Sequence, residues 1–140
     1  MQTFLPYPKF SESAAVLDYR RLGKQRVETL QIMKALLTGK GWVNHPVTKM
    51  WTGYEWALLH YQKACVDAWL ELGFKDTCMA KTFDLYFSHV KEERNVVPPW
   101  LGNRAFHYAQ KSNLVRKDPD HYGPIFGDVP DDIPYIYPVL

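Results

Sequence analysis

Apolar residues recur every three or four positions along most of the chain, which is the spacing of one face of an α-helix. The first such stretch follows the proline-restrained residues 1–10, where Ser11 or Ser13 is suited to cap a helix, and it ends at the glycines of 39–41. Its apolar positions are Leu17, Leu22, Val27, Leu30, Met33 and Leu37. Gly23 lies inside this stretch and predicts an interruption or a kink there.

The clearest helical pattern runs from about 47 to 72. Pro46 stands in its first turn, directly after His45, and Gly73 follows its last apolar position. The apolar residues between these ends keep a spacing of three or four over the whole length. The sequence therefore predicts one long helix.

Two shorter helices are predicted in the second half, over about 77–90 and 102–116, with a helical turn at Asp118-Pro119. Prolines at four positions of 123–140 predict an irregular tail that wraps the body. No segment alternates with a period of two. The predicted fold is therefore all-α, with residues 1–140 forming a single compact helical domain that has an extended N-terminal segment and a proline-rich C-terminal tail from 118 onwards.

Composition excludes several classes of protein. The chain has 140 residues, of which 46% are hydrophobic and 23% charged, and this balance is typical of a folded domain rather than a disordered one. No apolar run approaches the ~20 residues that span a bilayer, and the first residues lack the features of a signal peptide. Two cysteines, Cys65 and Cys78, do not by themselves make a zinc site. We expect a cytoplasmic, nucleoid-associated monomer with reduced thiols and with neither metal nor cofactor.

The distribution of charge is more informative than the net charge of +2. Residues 20–26 contain four cations in seven positions, whereas residues 118–140 contain five aspartates and neither lysine nor arginine. Such a cluster is either a solvated helix face or a surface that contacts phosphates. An aromatic content of 15% adds side chains on which bases could stack.

Asp18, Arg21, Gln25 and Glu28 fall on one stripe of the first helix. A carboxylate among cations is either a surface ion pair or a catalytic carboxylate that nearby positive charge keeps ionised. His45 stands at a helix N-terminus, where an anionic ligand can bind. The residues alone predict a basic all-α domain and leave nucleic-acid binding open.

Three segments resemble a known family. The stretch His45–Tyr54, with the long helix that closes at Leu72–Thr77, resembles the middle of the phage endonuclease V type of pyrimidine-dimer DNA glycosylase. There a histidine begins a long helix that ends in Arg-Gly-Phe and a Lys-Asp-Thr turn. Tyr19–Leu22 resembles the family's Tyr-Arg-Glu-Leu, and Lys117–Tyr122 with Phe126–Gly127 is similar to its C-terminal stretch of lysine, proline and aromatics.

The chain also resembles a group of bacterial proteins that begin Met-x-Thr-Phe-Leu-Pro. These proteins carry Pro-Pro-Trp-Leu-Gly and Leu-Val-Arg-Lys-Asp-Pro, which stand here at 98–102 and 114–119. The resemblance therefore places the chain in a bacterial branch of the superfamily.

The resemblance implies an all-α domain and an enzyme with two activities on double-stranded DNA. Such an enzyme cuts the glycosidic bond of a damaged pyrimidine and then nicks the strand at the abasic site. In the family, the N-terminal α-amine attacks the sugar C1′ and forms a Schiff base. An α-amine has an ordinary pKa near 8, so an appreciable fraction is neutral and nucleophilic at neutral pH. A glutamate assists, and arginines and histidines bend the duplex and hold its phosphates.

Two positions depart from the family pattern. The family's catalytic glutamate aligns on Arg21, which cannot act as a carboxylate. Glu28 is the best substitute and Asp18 the second, although Glu28 lies about 10 Å further along the helix axis than Arg21. A methionine before Gln2 is a poor substrate for removal, so we expect Met1 to carry the free amine.

The sequence thus predicts a DNA glycosylase, with AP-lyase activity as the finer expectation, on a damaged or modified pyrimidine in duplex DNA. The predicted catalytic residues are Met1, Glu28 and Asp18. The predicted DNA-binding residues are Arg20, Arg21, Lys24, Arg26, His45, Lys111, Arg116 and Lys117. Three alternatives stay open: a non-catalytic duplex-DNA-binding module, an enzyme on another nucleic acid or nucleotide, and a protein-interaction domain.

Overall fold

The computed structural model describes residues 1–138, and every regular element in that range is an α-helix. The predicted all-α class is therefore confirmed. The helices in chain order are α1 (Phe10–Val16), α2 (Tyr19–Thr38), α3 (Pro46–Met50), α4 (Glu55–Glu71), α5 (Cys78–His89), α6 (Arg104–Lys117) and α7 (Pro119–Phe126). None of these helices is both long and apolar enough to cross a membrane.

The first predicted helix is in fact two helices, α1 and α2. The backbone is extended at Leu17, and the carboxylate of Asp18 then caps α2 by accepting a hydrogen bond from Arg21 N–H at 3.3 Å. The two serines predicted as caps, Ser11 and Ser13, lie inside α1 instead. Because an N-cap carboxylate satisfies an otherwise unpaired N–H, Asp18 starts a new helix where the apolar spacing alone predicted a continuous one.

The predicted interruption at Gly23 is wrong, since α2 runs unbroken from Tyr19 to Thr38. A Cβ at Gly23 would lie 3.0 Å from two ring atoms of Trp69. That ring is held between Phe74, which stacks on it with ring centroids 4.2 Å apart, and the guanidinium of Arg26, 4.4 Å from its centroid. The glycine therefore serves the close approach of α4 to α2.

The predicted helix over 47–72 also consists of two elements. His45 caps α3 with its side chain, as Nδ1 accepts from Val47 N–H at 3.1 Å, and Pro46 stands at the predicted first position. The chain then turns through Gly53, whose φ of 86° lies in the left-handed region that favours glycine. A residue in that conformation ends the helix even though the apolar spacing continues on both sides of it.

Helices α5 and α6 lie where the sequence predicts them. Helix α7 is longer than the predicted turn at Asp118, whose carboxylate accepts from His121 N–H at 3.2 Å and caps the helix. Pro124 is accommodated inside α7, near its C-terminal end. The irregular tail consequently begins at Gly127, and the predicted starts at 118 and 123 are both corrected.

The tail is anchored to α6. Within 127–138, Ile133 donates its backbone N–H to Ser112 Oγ at 3.0 Å and accepts at its carbonyl from Asn113 Nδ2 at 3.0 Å. The tail therefore lies against α6 at Ile133. The last two residues of the predicted tail, Val139–Leu140, lie outside the described residues.

The core forms where α2 packs against α4 and α5, with α1 lying on α4. Its largest buried side chains are aromatic, namely Trp51, Tyr61, Tyr86, Phe106 and Tyr122. Trp51, for example, stacks on Tyr61 with ring centroids 6.2 Å apart and meets Trp100 edge to face at a centroid distance of 5.0 Å. The high aromatic content therefore serves mainly the core.

The N-terminal segment, residues 2–6, is buried among the helices. The indole N–H of Trp51 donates to Thr3 Oγ1 at 3.1 Å, and the backbone N–H groups of Phe4 and Leu5 donate to glutamine side chains of α2 and α6 at 3.0 and 3.1 Å. Each of these bonds is itself buried. The start of the chain is thus fixed against α2, and this fixes the position of Met1.

Candidate active site

A cleft of about 490 Å³ opens where the N-terminal segment meets α2 and the junction of α6 with α7. It is lined by Met1, Gln2, Phe4, Asp18, Arg20, Arg21, Lys24, Glu28, Lys117 and Asp118. All three predicted catalytic residues and four of the eight predicted DNA-binding residues thus meet in one place. Four basic side chains and three carboxylates share the cleft.

Glu28 contacts the start of the chain directly. The backbone N–H of Gln2 donates to Glu28 Oε2 at 3.2 Å, and Gln25 Nε2 donates to the same oxygen at 3.2 Å. Met1 is the neighbouring residue, and consecutive Cα atoms are about 3.8 Å apart. The carboxylate that the sequence placed two turns beyond the family's glutamate position therefore lies beside the first peptide unit.

The carboxylate of Asp18 is occupied by structural partners. Its Oδ1 accepts from the Tyr122 hydroxyl at 2.5 Å and from Arg21 Nη1 at 3.1 Å, and its Oδ2 accepts the capping bond of α2. Burial raises the pKa of Asp18, but the hydrogen bonds from Tyr122 and Arg21 outweigh burial and bring it below its ordinary value. Asp18 is thus an ionised group with several hydrogen bonds, whereas Glu28 has fewer.

The four cleft cations differ in their environments. Arg20 and Lys24 are exposed, and Arg21 forms an ion pair with Asp18. The ammonium group of Lys117 lies 6.0 Å from the ring centroid of Tyr135. Burial, and then the charges of Arg21 and other nearby cations, lower the pKa of Lys117. Arg20, Lys24 and Lys117 are all exposed and can contact phosphates, and Lys117 is in addition an amine whose neutral form is favoured relative to an ordinary lysine.

Three predicted DNA-binding residues lie outside the cleft with partners of their own. Arg26 donates to Asp76 at 2.6 Å, and Lys111 lies 4.9 Å from the ring centroid of Tyr7. Arg116 donates to a backbone carbonyl of the tail at 3.3 Å. These partners come from distant parts of the chain, so sequence position alone could not separate the three from the cleft cations.

His45 also lies outside the cleft, but the charged groups of the cleft are close enough to shift the pKa of its imidazole. Burial, and then the positive α-amino group at Met1, lower the pKa of His45, while Glu28 acts in the opposite direction. Its Nδ1 accepts the capping hydrogen bond of α3, which assigns the imidazole proton of the neutral ring to Nε2.

Gln25 is the residue at this site whose role the sequence did not reveal. Its side chain is fully buried and bonds both Gln2 and Glu28. The available signal was its position in the stripe that joins Asp18, Arg21 and Glu28, because a polar residue on an inward-facing stripe needs partners.

Within residues 1–138, no group of three or more histidine, cysteine or acidic side chains could hold a metal ion. Cys65 and Cys78 are free and buried. Burial raises the pKa of Cys65 to about 12, so this thiol is a core residue rather than a nucleophile.

The fold is all-helical, and its cleft places the N-terminus beside a carboxylate among four cations. The positive charge of these cations complements the negative charge of a nucleic-acid backbone. Residues 1–82 match the family described as pyrimidine dimer DNA glycosylase. This match covers more than half of the chain, and the protein belongs to that family. No curated protein and no solved structure matches the chain.

Family membership confirms the resemblance over the matched residues and supports a DNA glycosylase role in DNA repair, with DNA as the partner. The match contains the N-terminal segment, α2 and therefore Met1, Arg21 and Glu28. The C-terminal likeness at Lys117–Tyr122 lies beyond it.

Proposed function

We propose that the protein excises a damaged or modified pyrimidine from duplex DNA and cleaves the resulting abasic site, with the α-amine of Met1 as nucleophile and Glu28 as the assisting carboxylate. The observation that carries this proposal is the hydrogen bond from Gln2 N–H to Glu28 Oε2 at 3.2 Å. It sets the carboxylate one residue away from the amine, inside a cleft with four cations.

The chemistry needs a neutral amine and a nearby acceptor for protons. The amine nitrogen attacks C1′, the bond from C1′ to the base breaks, and the base leaves with the electron pair and takes up a proton. The bond from C1′ to O4′ then opens, O4′ is protonated, and a protonated Schiff base joins the enzyme to the sugar. Removal of a proton from C2′ then breaks the C3′–O3′ bond, and the downstream strand leaves with a 5′-phosphate. Water finally hydrolyses the Schiff base and frees the amine. Glu28 would accept protons and stabilise the positive charge on the sugar.

The remaining cleft residues supply binding. Arg20, Lys24 and Lys117 are exposed cations of the cleft and would contact the phosphate backbone. Asp18 holds Arg21 and caps α2, so we assign it a supporting part. His45 would lie beside the amine, and Arg26, Lys111 and Arg116 are assigned to the fold.

Reduction with borohydride tests the proposal, since it converts the protonated Schiff base into a stable amine. The duplex panel contains an abasic site, a cis-syn pyrimidine dimer, an oxidised pyrimidine and a hypermodified pyrimidine. We expect a covalent protein–DNA complex on the abasic site and on at least one modified base. Absence of a complex on every duplex would refute the proposed enzyme activity.

A blocked N-terminus identifies the amine. Adding one residue before Met1, or acetylating it, should abolish trapping while duplex binding persists. The matched controls are Lys24→Met and Lys117→Met, which remove the other amines of the cleft and should keep trapping. If trapping survives the blocked terminus and disappears in one of these variants, that lysine is the nucleophile instead.

A non-catalytic duplex-DNA-binding module is the second candidate. The position of Arg21, where the family has its glutamate, favours it. Its signature would be salt-dependent duplex binding without any covalent complex, and this outcome separates the two candidates within one set of measurements.

A further inference from the structure

Gln25 is a fully buried amide at the centre of the polar contacts behind the cleft, with 0% of its surface exposed. It stands on α2 one turn before Glu28. Its Nε2 donates to the Gln2 carbonyl at 2.7 Å and to Glu28 Oε2 at 3.2 Å. A buried amide that makes both donor bonds is held in a single position.

The orientation of this amide is determined by its other end. Gln25 Oε1 accepts from Phe4 N–H at 3.0 Å and lies 2.5 Å from the hydroxyl oxygen of Tyr61. A backbone N–H only donates, so the amide oxygen must face Phe4. The amide nitrogen consequently faces the cleft, where both of its partners are acceptors.

These contacts make the two oxygens of Glu28 different. Both hydrogen bonds that the carboxylate accepts within residues 1–138 fall on Oε2, one from Gln2 N–H and one from Gln25. An oxygen that accepts two N–H groups has little room to take up a further proton. The other oxygen, Oε1, is therefore the one available to a reacting sugar.

We propose that Gln25 is a positioning residue that binds Oε2 of Glu28 and the Gln2 carbonyl, so that Oε1 faces the reacting atoms and the N-terminal amine stays beside it. This inference rests on the proposed function and adds the element that aligns its two reacting groups. The Tyr61 and Phe4 contacts fix the amide from behind, inside the core.

A double-mutant cycle tests the inference with the single-turnover rate of trapping at an abasic site. Gln25→Met keeps the side chain's length and removes its hydrogen bonds, and Glu28→Gln removes the charge. A misplacement of about 1 Å can cost of the order of 100-fold, so Gln25→Met should lower the rate by roughly 10- to 100-fold. In the Glu28→Gln background the same change should lower the rate by a clearly smaller factor, because only the contact with the Gln2 carbonyl is then left to lose. Equal factors in both backgrounds would overturn the inference.

Gln62→Met is the matched control for a merely structural effect. Gln62 is another fully buried glutamine, on α4; its Nε2 donates to the Arg26 carbonyl at 3.0 Å, and it does not line the cleft. We expect Gln62→Met to lower the free energy of unfolding while leaving the trapping rate and duplex affinity of the folded protein within about twofold. If Gln62→Met slows trapping as much as Gln25→Met does, the loss reflects the fold only and Gln25 has no positioning role.

A measurement independent of activity separates this inference from the proposed function. The side-chain NH₂ resonances of Gln25 should shift in Glu28→Gln and stay in place in Asp18→Asn, which changes another carboxylate of the same cleft. A wild-type protein that traps no DNA would refute the proposed function. If the Gln25 resonances do not shift in Glu28→Gln, Gln25 does not position Glu28, and this conclusion holds whether or not the wild type traps DNA.

Discussion

His107 donates from Nδ1 to the backbone carbonyl of Leu5 at 2.7 Å and so ties α6 to the buried N-terminal segment. Its Nε2 accepts from Gly102 N–H at 2.8 Å. Because that N–H can only donate, the ring is held as the neutral tautomer with its proton on Nδ1. A second proton on Nε2 would face the N–H of Gly102 and break this arrangement.

The first prediction follows from that tautomer and concerns stability in acid. Burial, together with the charge of Lys111, lowers the pKa of His107 below 6.5, although the Leu5 carbonyl acts against this. The unfolded chain therefore binds the proton first, and stability is lost as pH falls from about 6.5 through the pKa of the folded state. In urea unfolding at pH 8 and pH 5.5, the wild type should lose more free energy of unfolding than His107→Gln does. Equal losses in the two proteins would contradict this linkage.

The second prediction concerns binding to duplex DNA. Affinity should fall with salt along a log–log slope of about −0.9 per contacted phosphate. Arg20→Ala should weaken binding across sequences and reduce the size of that slope by about one unit, because Arg20 is an exposed cation of the cleft. Lys63→Ala is the control, since Lys63 is an exposed lysine of α4 paired with Asp67 and does not line this cleft. A salt slope near zero in the wild type would show that the protein makes no phosphate contacts.

The third prediction separates Arg26 from the cleft cations. Its guanidinium bonds Asp76 at 2.6 Å, and only 14% and 4% of the two side chains are exposed. Burial raises the pKa of Asp76, but hydrogen bonds from Met79 N–H and Arg26 outweigh burial and bring it below its ordinary value. Arg26→Ala leaves that carboxylate without its ion-pair partner and should cost roughly 3 kcal/mol of unfolding free energy.

The salt slope of DNA binding should be unchanged in folded Arg26→Ala. The cost should shrink when Asp76→Ala is already present, because the charge left unpaired by Arg26→Ala is then absent. If Arg26→Ala instead flattens the salt slope and leaves the free energy of unfolding unchanged, Arg26 is a DNA-binding residue.

The fourth prediction compares two helical glycines. Alanine is favoured over glycine in a helix by about 1 kcal/mol, and Gly123→Ala should gain up to this amount because nothing lies within 4 Å of the new Cβ. Gly23→Ala should instead destabilise the protein, since its Cβ would meet the Trp69 ring at 3.0 Å. That ring cannot easily move, as its indole N–H donates to the Lys75 carbonyl at 2.8 Å. Thermal unfolding of both variants checks the opposite signs, and a stabilised Gly23→Ala would show that the ring can shift.

Local spacing determined much of the fold. The positions of α5 and α6, the start of α3 at Pro46 and the end of α2 at Gly39 were all predicted, because helix periodicity and capping depend on residues a few positions apart. The breaks at Asp18 and Gly53 were missed for a related reason. A cap or a left-handed residue interrupts the backbone without disturbing the apolar spacing around it.

The sequence by itself also determined which side chains were candidates, since a stripe with Asp18, Arg21 and Glu28 follows from helix geometry alone. Only the tertiary structure decided what each one contacts. Glu28 meets the backbone of Gln2 across 26 positions, and Arg26 meets Asp76 across 50. Such pairings depend on how helices and the N-terminal segment pack, and packing is set by the sum of many buried contacts rather than by any local pattern. Two arginines of the same helix therefore have different roles, since Arg20 lines the cleft and Arg26 supports the fold.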